Sequence, residues 1–555
     1  MRYPSTLLSL LVLLFACAPS NQEERSTQVQ VDFSASTHTE LVNFFFDWRE
    51  FHNPEMKEGV PDYSKSAMDQ QYAELATWQA KLDAFDTAGW SIEEQIDWYL
   101  VWAEMNGLDF AHRVKQPWFR DPAFYVWFYP GKTDVPEREG PNIHGNIEYA
   151  YFDQPVSAED AASIATRLQS AQALYEQAKK NLTGNAKDLW ITGTRSIREQ
   201  SENLENLATS VEGDHPELAM AAREAIEASN GLATWLEGQS ASKTGTSGVG
   251  KDNYSWNLQK VHLLPYSWRD EEVLMRRELH RSHASLRLEE QRNKDLPKLE
   301  KITDPEEYDR LFNAAIDEYL EFFEKADIVP MKDYMEPALR ARVNKFVPFD
   351  GIRGFFSEIG YRDPIIMRTH DYHWIDLARM REEPHPSPIR ATPLLYNIFD
   401  SRAEGMATGM EEMMMHAGFL DDKPRSRELI WILLAQRAAR GLAGLYQHGL
   451  ELDFDGATKF ASKWTPWGLL PADGGTIQHE EQFYLRQPAY GTSYNIGKLE
   501  VEKIIAEYAR QRNGDFSMSE FMDEFNKCGM IPTSLVYWQM TGDKSLLNEA
   551  LNMKE

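Results

Sequence analysis

The chain is poor in cysteine: of 555 residues only Cys17 and Cys528 carry a thiol. A disulfide framework and a cysteine metal cluster are therefore excluded, and a body this long has to be held by its core. Basic charge is also short. Fifty-eight lysines and arginines face 87 aspartates and glutamates, for a formal charge of −29, which argues against nucleic acid and anionic lipid surfaces as partners. After the leader no run of eighteen apolar residues occurs, so no membrane span is expected. There is no P-loop, no dinucleotide fingerprint after a strand and no G-x-S-x-G. "HEEQF" at His479 has Phe483 where a second histidine would complete H-E-x-x-H. Alternating strand patterns are scarce, "FYVWFYP" being a short exception, and no internal repeat is found.

What is present begins with the leader, "MRYPSTLLSLLVLLFACAPSNQEE". Arg2 precedes an apolar run from Leu7 to Ala16 of signal-peptide length. The run ends "LFAC", which resembles a bacterial lipobox: residues 1–16 read as a lipoprotein signal peptide and Cys17 as the lipid-bearing N-terminus. An ordinary signal peptide cut nearby is the alternative. Ala18, not aspartate, follows Cys17, so the expected location is the cell envelope, at the outer membrane if the source is Gram-negative. Residues 17–33 read as a polar tether, and the lipid as the only membrane contact.

Helical period dominates the remainder. Ile164, Leu168, Ala171, Tyr175, Ala178 and Leu182 recur at steps of three and four behind a cap formed by Ser157 and Asp160. Val501, Ile505 and Tyr508 do the same before a stop at Gly514. The low-complexity stretch 238–253, "GQSASKTGTSGVGKDN", reads as a mobile loop between helical halves 34–237 and 254–555. The expected fold is mainly α, a large single helical body with a central cleft.

The most unusual stretch is "MRTHDYHWIDLARM", Met367 to Met380, with two histidines and two aspartates in seven residues. It predicts a helix from about Arg368 to Arg381, broken by Pro384, Pro386 and Pro388. A second helix starting near Pro393 carries Glu404. If the two fold back on each other, His370 and Glu404 lie about 18 and 16 Å from the turn and reach the same height. Histidines on one helix with a glutamate on the next is the ligand pattern of a zinc hydrolase. On a straight helix His373 lies about 60° from His370 and Asp376 about 120°, so His373 is the better placed, while Asp376 is also an acceptable ligand. Asp371 points away from both. A buried hydrogen-bonded network that orders the core is the competing reading. Met406, Met410, Met413 and Met414 read as core filler, and the glycine beside Glu404 as a close helix crossing.

These stretches together resemble the bacterial family of unknown function numbered 885, itself similar to H-E-x-x-H metallopeptidases. The family pattern runs H-E-x-x-P-G-H-H, then E-G-W-A, then S-Y-x-I-G. Here "HDYHWIDL", "AEGMATGMEE" and "GTSYNIGKLE" stand at the three places, keeping His370, Glu404, Gly405, Glu411, Ser493, Tyr494, Ile496 and Gly497. The likeness is strongest from Tyr254 onward. It implies a metallopeptidase-like helical fold and a divalent metal, zinc by preference, held by His370, Asp376 and Glu404. It also implies Asp371 as general base in place of the family's glutamate, Tyr494 as oxyanion donor, and a peptide or small amide substrate. The first motif departs most: the glutamate, the Pro-Gly pair and one histidine are all replaced. Choice between His373 and Asp376 stays open, and a silent lipoprotein that binds a peptide or small ligand is the alternative to a hydrolase.

Overall fold

In the computed structural model the chain is one all-helical body, 69% helix and 2% strand; the structure describes residues 36–138, 140, 142–342, 346–348 and 354–553. Cys17 lies outside the described residues. Among those described, no helix is long and apolar enough to cross a membrane.

Caps set many helix starts. Thr37 with Glu40, Ser91 with Glu94 and Ser267 with Asp270 form reciprocal capping boxes, each worth about 1 kcal/mol. Ser157 accepts from the Asp160 N–H as the sequence suggests, but the expected long helix is two, Ala158–Leu168 and Ala171–Asn181. The strand candidate shrinks to Phe128–Tyr129, paired in parallel with Ile147–Glu148. A second two-residue ribbon joins Met56–Lys57 to Val60–Pro61.

Three helix pairs frame the body: Lys187–Val211 on Pro216–Gln239, Trp268–Arg292 on Pro424–His448, and Asp400–His416 on Tyr490–Gln511. The Pro424–His448 helix is buried on every side from Glu428 to His448, which fits a helix apolar around most of its circumference. The core does not divide at residues 238–253. Its largest cluster joins Leu41, Trp48 and Leu100 to Leu434, Val501 and Leu547, while helices between Ala158 and Gln239 form a second cluster together with earlier residues such as Val60, Trp118, Tyr125 and Ile147.

The 238–253 segment is tied down along its length. The Lys187–Val211 helix starts at Ala186, which has no side chain to cap it, and Ser247 Oγ accepts from the Asp188 and Leu189 N–H groups instead. The Gly250 N–H donates to the His448 carbonyl, and a Cβ on Gly248 would sit 2.2 Å from the Gln447 carbonyl oxygen. Small residues here allow close docking.

Candidate metal centre

The expected single helix from Arg368 to Arg381 is broken. Ile365–His370 ends at Asp371, whose ψ of 5° leaves the α-helical range, and Tyr372–Glu382 starts anew. Tighter bonds replace the ladder here: the Asp371 N–H donates to the Arg368 carbonyl and the Trp374 N–H to the Asp371 carbonyl. An ion pair between Arg368 and Asp371 spans the turn. His370 thus closes one helix, His373 opens the next, and their rings meet edge to face at 5.0 Å.

Glu404 arrives on the Asp400–His416 helix, which starts later than the Pro393 suggested by sequence. Its position depends on glycine. A Cβ on Gly405 would lie 2.3 Å from the Gly497 carbonyl carbon, and one on Gly497 would lie 2.1 Å from the Ser401 carbonyl oxygen. Real Cβ atoms do not approach backbone so closely, so the two helices cross where neither has a side chain. Gly441 and Gly491 do the same for the Pro424–His448 helix, a Cβ on Gly441 standing 2.4 Å from the Gly491 carbonyl oxygen. Both crossings pull Tyr490, Tyr494 and Arg437 around Glu404.

His370, His373 and Glu404 each offer one ligand atom, and these atoms lie within 4.8 Å of one another. His373 Nε2 is 3.2 Å from Glu404 Oε2, and the Tyr490 hydroxyl donates to Glu404 Oε1. Burial opposes the His373 cation, but Glu404 overrides it and raises the ring to about 9; reciprocally, Glu404 is buried yet brought down to about 2 by His373. His370 is held well below its usual value by burial and by Arg437. Its Nδ1 lies 3.3 Å from Glu411 Oε1 and 3.2 Å from Arg437 Nη2. A guanidinium can only donate, so Nδ1 accepts from Arg437; holding an ion through Nε2 would need the proton on Nδ1 instead, turned toward Glu411 as carboxylate support for the imidazole. Burial raises Glu411 to about 7 against the pull of Arg437 and Arg440.

The donor set fits a divalent ion of the zinc type: two imidazoles and one carboxylate. Ligand atoms about 2.0–2.2 Å from a tetrahedral ion are roughly 3.3–3.6 Å apart. The His373–Glu404 pair already meets that spacing, and the widest separation would have to close by about 1 Å.

Asp376 is elsewhere. Both its oxygens are taken by Arg402, at 2.6 and 3.1 Å, and Arg379 adds a further bond to Oδ1. Asp371 is raised to about 6, first by burial, with Arg368 and Arg342 opposing. Tyr494 stacks at 6.5 Å from the His370 ring with the Arg440 guanidinium 4.4 Å over its face, and its hydroxyl has no hydrogen-bond partner among the described residues.

Four contributors are not evident from the motifs. Tyr490 stands one helical turn before Tyr494 in "YGTSY" and could have been read on the same face. Arg437 and Arg440 interrupt the apolar run "LIWILLAQRAARGLAGLY", where a buried charge signals a buried partner. Asp134, whose carboxyl is raised by burial and by Glu404, had no signal.

One family's sequence model matches residues 47–349. The chain belongs to the bacterial proteins of unknown function called DUF885. The matched span of this DUF885 protein ends before His370, whereas the motif resemblance is strongest after Tyr254. No curated protein matches it. Its fold is shared with a protein of unknown function from Shewanella oneidensis, described as a lipoprotein. That likeness has a TM-score of 0.67 at 15% identity, covering 91% of this chain and 100% of the other. A crystal structure from Colwellia psychrerythraea, also described as a lipoprotein, gives a TM-score of 0.64 at 12% identity, covering 94% and 100%. At these identities the likeness is one of fold.

Proposed function

We propose that the protein is a lipid-anchored cell-envelope hydrolase that uses a divalent metal, zinc by preference, to cleave peptide or amide bonds. One observation carries the reading: His370, His373 and Glu404, from three separate helices, bring ligand atoms within 4.8 Å of each other. A bound ion would supply Lewis acidity toward a carbonyl and toward water. The chain's own groups have separate tasks. Asp371, beside His370 and oriented by Arg368, is the group that would accept a proton. Tyr494 offers an uncommitted hydroxyl to a developing oxyanion. Glu411 and Arg437 orient His370 from behind. The anchor rests on "LFAC" and on the description given to the two proteins of like fold.

A second reading, a silent lipoprotein that binds a peptide or small ligand, is favoured by a different observation. His373, Glu404 and Tyr490 already satisfy one another, and Asp371 is held by Arg368. Elemental analysis of purified protein, with His370→Ala as control, separates the two. The hydrolase reading expects stoichiometric metal that His370→Ala removes, Asp371→Asn that keeps metal but stops turnover, and Tyr494→Phe slower by a factor of about 10² to 10³. Absence of metal and of turnover on peptide and acyl-amino-acid substrates with added divalent ions would favour the silent protein.

A further inference from the structure

Beside the metal cluster lies a cavity of about 240 Å³ that the chemistry above does not use. Asp400 in its wall precedes Glu404 by one helical turn, about 6 Å along the axis. Gln487, also in the wall, precedes Tyr490, whose N–H donates to the Gln487 carbonyl. The opposite wall comes from the N-terminal part of the chain, with Phe110, Trp118 and Phe124 among its apolar groups.

Two groups of opposite charge line this space, Lys115 and Glu137. Neither side chain has a hydrogen bond or ion pair with a described residue. That is out of character for this protein, where buried charges come in contact pairs: Arg402 with Asp376, Arg437 with Glu411, Arg390 with Asp97. Both groups are half-buried; Asp121 and Asp400 act on Lys115, and Arg49 and Arg138 on Glu137, from beyond contact distance, and a charge so placed is costly. Burial lowers the Lys115 ammonium to about 8 and raises the Glu137 carboxyl to about 7. Several other polar groups of the wall are engaged: His52 with the Tyr396 hydroxyl at 2.7 Å, Asn397 with the side-chain carbonyl oxygen of Gln487, and Arg138 with Glu148; Gln487 Nε2 has no hydrogen-bond partner among the described residues. Lys115 and Glu137 thus offer opposite charges, without a contact partner among the described residues, to something not of the chain.

We propose that this cavity binds a free α-amino acid, its carboxylate toward Lys115 and its ammonium toward Glu137. Size sets the limit. At roughly 30 Å³ per water the space holds about eight waters, room for a single residue and not for an extended peptide. The aromatic walls favour an apolar side chain. The binding does not depend on the metal reading; if the neighbouring centre cleaves peptides, the cavity is where a released residue would sit.

The test is calorimetric titration of the purified full chain with L-leucine and L-phenylalanine, and with leucinamide and N-acetyl-leucine, each of which lacks one of the two charges. Leucine or phenylalanine should bind, and each blocked compound should bind at least about tenfold more weakly than leucine, the worth of one charged hydrogen bond. Lys115→Met should erase the preference for leucine over leucinamide, and Glu137→Gln the preference over N-acetyl-leucine. His370→Ala should bind leucine as the parent does, which keeps this result apart from the fate of the metal. No binding of either free amino acid at millimolar concentration would overturn the proposal. So would blocked compounds that bind the unaltered protein as well as leucine does, a comparison that needs no variant to fold.

Discussion

Replacing Asp376 by asparagine separates a metal ligand from a structural anion. Arg402 is fully buried, and its guanidinium is met by both Asp376 oxygens at 2.6 and 3.1 Å, with Asn526 Oδ1 at 2.9 Å and the Phe525 ring 4.7 Å from its centre. Asparagine keeps the shape but removes the charge and one acceptor, so Arg402 is left as an uncompensated buried cation. Removing one partner of such a pair costs about 3–5 kcal/mol, a large part of a usual total of about 5–15 kcal/mol. His373→Ala likewise breaks a buried ion pair, leaving Glu404 with Tyr490, at a similar cost of about 3–5 kcal/mol. The assay pairs a urea midpoint with metal content per chain. Asp376→Asn should unfold at clearly lower urea yet, where folded, carry as much metal as the parent. His373→Ala should lose metal with a comparable loss of stability, so metal content is what separates the two variants. An Asp376→Asn protein of undiminished stability that no longer holds metal would refute the assignment and make Asp376 the ligand.

Gly405→Ala should destabilise by about 1–3 kcal/mol through overpacking against the Gly497 backbone, while Gly231→Ala, with open space around it, should be neutral or stabilising by up to about 1 kcal/mol; equal melting temperatures for the two would contradict the crossing. The contact of His38 with Asp97, at 2.7 Å beside Arg390, predicts a stability window. Its hydrogen bond to Asp97 raises His38 above 6.5, so its contribution is full below that value and fades as pH rises through the folded value; Asp97, buried but lowered by His38 and Arg390, contributes above about pH 4 and fades in acid. Urea midpoints should therefore fall on the alkaline side in the parent and not in His38→Gln. Cys17→Ala should abolish lipid labelling and release the body to the soluble fraction, and unchanged membrane retention would argue against the lipobox.

What could be read from sequence follows the range of the forces involved. Period and caps are local, so the all-helical class and the Ser157 cap were legible, as was the close crossing at Gly405, because a glycine inside a helix needs a reason. The break at Gln169 and the docking of 238–253 were not, since each depends on packing from distant segments, Ser247 on a helix start some sixty residues earlier in the chain. The same limit explains the first motif. With Trp374 and Ile375 where the resembled pattern has Pro-Gly, a straight helix is the natural expectation. The chain bends three residues earlier instead, at Asp371, where Arg368 closes the turn. That earlier bend brings His373 to Glu404 and sends Asp376 toward Arg402, twenty-six positions away. With the turn at Asp371, position 376 faces a buried arginine, and an aspartate there pairs with it. A motif judged residue by residue looks damaged, whereas the same residues judged with their partners form a cluster of two histidines and a glutamate beside an intact ion pair.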